Sequence, residues 1–446
     1  MSSEWPQISI ADIASPLPGS LAVGPFGSRM KADLYVPSGV RVIRGNNLNG
    51  GKELSGDYVH VTEKTADSLA SCCLSPGDLV FPHRGNIGQV GITPDDGCRY
   101  MLSTSLMKLS PDRTKADPLY LMYFFKSKVG RAALLMNASQ VGTPGIATPL
   151  KSLRGIELPL PPLGVQRKIS GVLSALDDRI TLLRETNTTL ESIAQALFKS
   201  WFVNFDPVRA KQEGRTPEGM DEATAALFPN SFEESELGLV PKGWRVVPFL
   251  AAVDLQGGAQ PPASTFIDEP RQGYVRLLQI RDFSTDAHKT YIPDTAKLKK
   301  VNEDDVLIGR YGSASGDKAK DSLGRVCRGL SGAYNVALMK LNPIEVGKEF
   351  ALQLVNDPRF YGYLQGVSSK AVQSGFSKAE LGQYRVVVPP RELAEYFEQM
   401  GADVWQRIKA NNQLTQTLAT LRDTLLPRLI SGQLRLPEAE VMLAEV

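Results

Sequence analysis

The sequence predicts a mixed α/β (α+β) chain. Two globular domains are joined by two long helices that form an intramolecular antiparallel coiled coil, the whole a pseudo-two-fold repeat. Three observations predict it. The stretch "LPLPPLGVQRKISGVLSAL" at 158–176 returns in plan as "VVVPPRELAEYFEQMGADV" at 386–404, with Pro161/Pro162 and Pro389/Pro390 228 positions apart. After each proline pair the apolar residues follow a helical period, and before each pair short Val/Ile/Leu runs broken by Gly, Pro, Asn and Asp read as strands and tight turns.

The elements follow in order. Residues 1–160 form the first globular domain, with strand runs and a helical piece at "PLYLMYFFKSKVGRAALLM" (118–136). Residues 161–203 form the first long helix. Its apolar or small residues fall at Ile169, Leu173, Leu176, Ile180, Leu183, Asn187, Leu190, Ala194, Leu197 and Trp201, a strict alternation of four and three that marks a coiled-coil seam. Asn187 is the polar member. Residues 204–243, polar and rich in Pro and Gly, read as an extended connector.

Residues 244–388 form the second globular domain, with a helical piece at "KEFALQLVNDPRFYGYLQ" (348–365), and 389–436 the second long helix. Its stripe is Phe397, Met400, Val404, Ile408, Asn411, Leu414, Leu418, Leu421 and Leu425, again interrupted by one asparagine. Residues 437–446 are a C-terminal tail. One such stripe cannot be buried alone, so the two helices pack on each other, and a buried asparagine in each fixes orientation and register.

The globular halves also match piece by piece. "GVRVIRGNNL" (39–48) pairs with "GYVRLLQIRDF" (273–283), "SPGDLVFPHRGNIG" (75–88) with "NEDDVLIGRYGSAS" (302–315), and "SLMKLSP" (105–111) with "ALMKLNP" (337–343). Charge follows the repeat: residues 1–155 sum to +4, 156–243 to −4, 244–388 to +4 and 389–446 to −2. The basic blocks suit a polyanion and the acidic, helical stretches do not.

Length and composition, 446 residues with 42% hydrophobic and 22% charged, suit a multidomain soluble protein. No apolar run reaches the roughly 20 residues of a membrane span, and "MSSEWPQISIADIA" lacks the pattern of a signal peptide, so the cytoplasm is the expected location. Cys72, Cys73, Cys98 and Cys327 have neither zinc spacing nor a disulfide framework, and no metal ligands are assigned. The Gly-x4-Gly-Lys loop, the Gly-x-Gly-x-x-Gly turn and the Gly-x-Ser-x-Gly elbow are absent, as is an Asn/Asp-Pro-Pro-aromatic stretch for holding a flipped base. No catalytic residues are assigned.

The residues then carry a resemblance. "LPPLGVQRKI", the heptad helix ending "ALFKSWFVNFDPVRAK", the connector "PEGM" through "VPKGW" and the terminal "LRDTLLPRLISGQLRL" look like the repeated helical regions of a specificity subunit of a Type I restriction-modification system, from Trp5 to about Leu436. The second copy departs by carrying Ala394-Glu395 where the first has Gln166-Arg167.

The resemblance implies that the globular domains are target recognition domains, each reading half of a bipartite, asymmetric double-stranded DNA site. It implies that two modification (methyltransferase) subunits using S-adenosylmethionine dock on the chain. Restriction subunits would join them and supply ATP- and Mg-dependent translocation and cleavage, with no cofactor in this chain. A helix of about 40 residues spans about 60 Å, the length of about 17–18 base pairs. The alternative is a DNA nuclease or methyltransferase with an unrecognised active site, for example at Asp304/Asp305; a purely structural coiled-coil adaptor is the third reading.

Base reading needs Arg or Lys for guanine and Asn or Gln for adenine. In the first domain the candidates are Arg44, Asn46 and Asn47, then His83, Arg84 and Asn86, then Gln140 and Thr143. In the second they are Gln279 and Arg281, then Arg310 and Tyr311, then Lys370, Gln373 and Ser374. Arg84 and Arg310 stand beside Gly85 and Gly312 in matching turns, where phosphate contact competes with base contact. Phe198, Trp201 and Phe202, at the end of the first helix, are candidates for packing against a modification subunit, or for a local core with the start of the second helix.

Overall fold

The computed structural model describes residues 5–26, 29–48, 50, 52, 54–139, 144–312, 321–368 and 375–444. The chain divides into two compact units, Met1–Arg184 with Asn412–Val446, and Glu185–Asn411. It passes from one to the other inside its two long helices.

The first unit contains strands Leu21–Val23 (β1), Val40–Ile43 (β2), Leu79–Pro82 (β3), Tyr100–Leu102 (β4) and Leu106–Leu109 (β5). One sheet has the order β1-β5-β3 with Gly91–Ile92 at its edge; the other orders Tyr35–Val36, Val59–Val61, β2, β4 and Cys73–Leu74. β2 and β4 run parallel, with Val42 opposite Met101. Behind them, Pro118–Lys126 (α1) starts at the cap Asp117, with Pro118 in its first turn. Lys128–Leu135 (α2) starts at Ser127, whose hydroxyl accepts from the Gly130 amide. Phe81, Tyr120, Phe124 and Phe125 are fully buried here, each worth about 1.5–3 kcal/mol of hydrophobic stabilisation.

The long helix Leu163–Phe198 (α3) begins in this unit. Its Ile169, Leu173, Leu176, Ile180 and Leu183 share a core with Leu418, Leu425, Leu426 and Leu429 of the other long helix.

The second unit repeats the plan with Val253–Gly257 (β6), Tyr274–Leu278 (β7), Leu307–Gly309 (β8), Gly332–Tyr334 (β9) and Leu338–Pro343 (β10). The sheet order β6-β10-β8-(Val326–Cys327) matches β1-β5-β3-(Gly91–Ile92), and β7 and β9 are parallel like β2 and β4. Lys348–Asn356 (α4) and Pro358–Ser368 (α5) stand where α1 and α2 stand. A carboxylate–lysine pair recurs too. Asp78 lies 3.7 Å from Lys108 and Asp305 2.9 Å from Lys340, each joining the start of one strand to its neighbour.

Within this unit α3 meets Arg391–Ser431 (α6) antiparallel. Asn187 faces Asn411, and Trp201, fourteen residues further on in the turn that follows α3, packs on Phe397, fourteen residues back along α6. The two seam asparagines meet each other: Asn411 Nδ2 donates to Asn187 Oδ1 at 2.8 Å, both buried.

One expectation is corrected, the tail gains a structure, and of the two readings of Phe198, Trp201 and Phe202 the local core with the start of the second helix holds. The connector is not extended. A π-helical turn Lys199–Asn204 leads through Phe205, which has φ 58° and a buried ring, into a helix Asp206–Gln212, then Glu222–Ala226 and the hairpin Phe232–Ser235/Gly238–Pro241. The tail forms the helix Leu436–Ala444 (α7), with Ala439 fully buried in the core of the first unit. Phe198, Trp201 and Phe202 are 4%, 4% and 5% exposed inside the core of the second unit, so they are not presented to a modification subunit. Phe198 and Phe202 contact Phe350 and Phe397, and Trp201 stacks on Tyr396. No helix among the described residues is long and apolar enough to cross a membrane.

Candidate nucleic-acid interface

The described candidates of the first domain come from two turns, which the fold brings to one edge. The first leaves the end of β2. A single 3-10 turn, Gly45–Asn47, is locked because the Arg44 amide donates to Asn47 Oδ1 at 2.9 Å. Asn47 Nδ2 donates to the carbonyls of Ser55 (3.0 Å) and Asp57 (3.2 Å). Asn47 is 0% exposed and its amide is spent on the loop, so it builds the turn rather than reading a base. Asn46 beside it is exposed.

The second turn leaves the end of β3 and carries His83, Arg84 and Asn86, the last two exposed. The crossover 103–105 between β4 and β5 joins the two turns. The Ser103 amide donates to the Ile43 carbonyl at 2.9 Å, and the His83 amide to the Ser105 carbonyl at 3.0 Å. His83 Nε2 lies 3.2 Å from the Thr104 carbonyl, and burial pushes its imidazole below its ordinary value. Arg84 bridges to Gly145.

Close approach makes the edge compact: a Cβ on Gly24 would collide with the Ser103 carbonyl, so the segment carrying the exposed Phe26 lies against the crossover. Among the described residues, Arg44 Nε and Ser103 Oγ are buried with no hydrogen-bond partner.

The second domain repeats this frame with other side chains. The Gln279 amide donates to Asp282 Oδ2 at 2.7 Å, closing the 3-10 turn Ile280–Phe283 as Asn47 closes the first. The crossover 335–337 joins it to the next turn: the Asn335 amide donates to the Leu278 carbonyl (3.1 Å) and the Arg310 amide to the Ala337 carbonyl (2.8 Å). A Cβ on Gly258 would strike the Tyr334 carbonyl, as one on Gly24 would strike Ser103. Arg281 is exposed, with Nη2 2.7 Å from Thr290 Oγ1. Arg310 Nε donates to the Phe376 carbonyl at 3.1 Å, its guanidinium 4.7 Å from the centre of the Tyr311 ring.

Backbone bonding aligns His83 with Arg310, and the bridges Arg84–Gly145 and Tyr311–Gly375 align Arg84 with Tyr311. The two arginines therefore do not occupy matching places; they sit one residue apart. Gln140, Thr143, Lys370, Gln373 and Ser374 lie outside the described residues. Residue-type reasoning missed the two crossovers and Phe26. The matching "LMKL" strands were visible, and the crossovers are the residues just before them.

A family model for the Type I restriction modification DNA specificity domain matches residues 27–192. That stretch is similar to a Type I specificity domain. The chain is similar to the Type I restriction enzyme HindI specificity subunit of Haemophilus influenzae, 24% identical over 87% of this chain and 94% of that one. It is also similar to the MjaIX specificity subunit of Methanocaldococcus jannaschii, 23% identical over 85% of this chain and 82% of that one. The fold is shared with the S subunit of the M. genitalium Type I system, with a TM-score of 0.53 and 16% identity over 96% of each chain. The matched stretch contains both candidate turns of the first edge, though not Gly24 or Phe26, and about the first eight turns of α3.

Proposed function

We propose that the chain is the DNA sequence-specificity subunit of a Type I restriction-modification complex, reading a bipartite, asymmetric double-stranded site through two recognition domains. One observation carries this reading. The same hydrogen-bonded frame is built twice and displays different side chains: Arg44 against Gln279, Asn46 against Arg281, His83 against Arg310 and Arg84 against Tyr311. A frame kept constant while the readers change is what two half-sites of different sequence require.

In this proposal the chain itself is not catalytic. Modification subunits supply S-adenosylmethionine-dependent methylation, and restriction subunits supply the ATP- and Mg-dependent steps, in the cytoplasm. The carboxylates of the rival enzyme reading are occupied otherwise: Asp305 pairs with Lys340 and Lys348, while Asp304 accepts from Trp405 Nε1 at 2.8 Å and Lys409 Nζ at 2.7 Å. The test is DNA methylation by the purified chain, alone and with a modification subunit and S-adenosylmethionine. Activity only in the mixture, lost at one half-site in Arg84→Ala and at the other in Arg281→Ala, supports the proposal. Methylation by the chain alone refutes it.

A further inference from the structure

Beside the first reading edge lies a cavity of about 300 Å³, the lower end of the range for small-ligand clefts. It is lined by Gly50 and Gly88, which follow closely on the two turns, by the cations of Lys126, Arg131 and Arg422, and by the carboxylates of Asp177 and Asp423. Arg422 is already neutralised: Nη1 donates to Asp177 at 2.6 Å and Nε to Asp423 at 2.9 Å, and Asp177 also accepts from the Tyr123 hydroxyl at 2.8 Å. Lys126, at the end of α1, and Arg131, in α2, are different. Neither makes a side-chain hydrogen bond or ion pair among the described residues.

Arg131 lies across the reading turn, and this is possible because Gly88, at φ 92°, leaves room. A Cβ there would come within 3.3 Å of Arg131 Cγ and Nε. Burial pushes the Lys126 ammonium down from its ordinary value, so the free protein carries the cost of a partly desolvated cation.

The duplicated module does not need these cations to fold. Asn356 ends α4 where Lys126 ends α1. The Tyr361 amide donates to Asp357 as the Arg131 amide donates to Ser127, which makes Tyr361 the counterpart of Arg131. Its hydroxyl is donated to the buried Asp321 instead. The first unit thus holds, in a cleft next to these turns, two cations with no hydrogen-bonded or ion-paired acceptor among the described residues, Lys126 lying 5.8 Å from the centre of the Tyr123 ring, at positions where the second unit has none.

We propose that this cavity seats one backbone phosphate of the bound duplex between Lys126 and Arg131, so that the first domain, unlike the second, is anchored by a phosphate clamp beside its base-reading turns. The inference rests on the DNA-reading function proposed above. An ammonium and a guanidinium converging on one site suit a phosphate monoanion. Free inorganic phosphate has the same chemistry, and the experiment separates the two sources.

Binding of the full chain to its preferred duplex and to a scrambled one is followed against salt, for wild type, Lys126→Gln/Arg131→Gln and the charge-preserving Lys126→Arg/Arg131→Lys. The neutral pair is expected to flatten the slope of log affinity against log salt by about 0.9 and to weaken both duplexes by the same factor. The charge-preserving pair restores the slope. A methylphosphonate scan of the duplex should find one position that weakens the wild type and leaves the neutral pair indifferent.

An unchanged slope in a neutral variant that melts like wild type overturns the clamp while leaving DNA reading intact. So does a scan in which every position affects both proteins equally, or calorimetry in which inorganic phosphate fills the cavity equally well with the duplex already bound. A wild-type chain with no preference between the duplexes overturns the function and the clamp together.

Discussion

Replacing one seam asparagine should cost more than replacing both. Asn187 and Asn411 are 8% and 3% exposed, and their amides are joined by a 2.8 Å hydrogen bond. Asn187→Leu leaves the Asn411 Nδ2 without its partner in an apolar seam, a penalty of about 1–3 kcal/mol. Asn187→Leu/Asn411→Leu removes donor and acceptor together and fills the seam with hydrocarbon, which is close to neutral or stabilising.

The quantity to measure is the coupling between the two sites. Amide hydrogen exchange in the flanking turns of α3 and α6 reports local opening without assuming that the two units unfold together. Each single variant should exchange about 5- to 150-fold faster there, and the double variant at about the wild-type rate. If the two single effects simply add in the double variant, the asparagines do not act as a pair and the register argument fails.

Three further outcomes follow from the same structure. Asp78→Ala strands the buried Lys108 and should destabilise the first unit by about 3–5 kcal/mol, read as a lowered thermal midpoint. Burial depresses the His83 pKa below its ordinary value of about 6.5. Between those two values the unfolded chain binds more protons, so the His83 contribution to stability is full above about pH 7 and declines as pH falls through about 6.5. The midpoint difference between wild type and His83→Gln should therefore change between pH 7.5 and 5, and a constant difference would contradict it. Inserting one heptad into each long helix, after Arg184 and after Asn411, adds about 10 Å to both covalent links between the units. Mapping of methylated adenines should show the preferred spacer growing by about three base pairs, and an unaltered spacer would refute a spacing role for the helices.

The sequence by itself determined the double plan, the two seams and their asparagines. A repeated apolar period states which face of a helix must be covered, and two such faces in one chain can cover each other. It also placed the two turns proposed to read DNA, since "HRGN" and "RYGS" follow strands whose next residues must leave the sheet.

Only the tertiary structure decided what depends on neighbours distant in sequence. Asn46 and Asn47 are indistinguishable as letters, yet one is exposed and the other is tied to the carbonyls of Ser55 and Asp57. Phe198, Trp201 and Phe202 suit an interface or a core equally well by composition, and it is Phe350, Tyr396 and Phe397 arriving from elsewhere that bury them. The one-residue offset between Arg84 and Arg310, and the two cations near Gly88 that form no ion pair among the described residues, likewise emerged only from strand pairing and packing. Periodicity is a property of one segment and is written in it, whereas burial and charge compensation are properties of pairs that the chain brings together only when it folds.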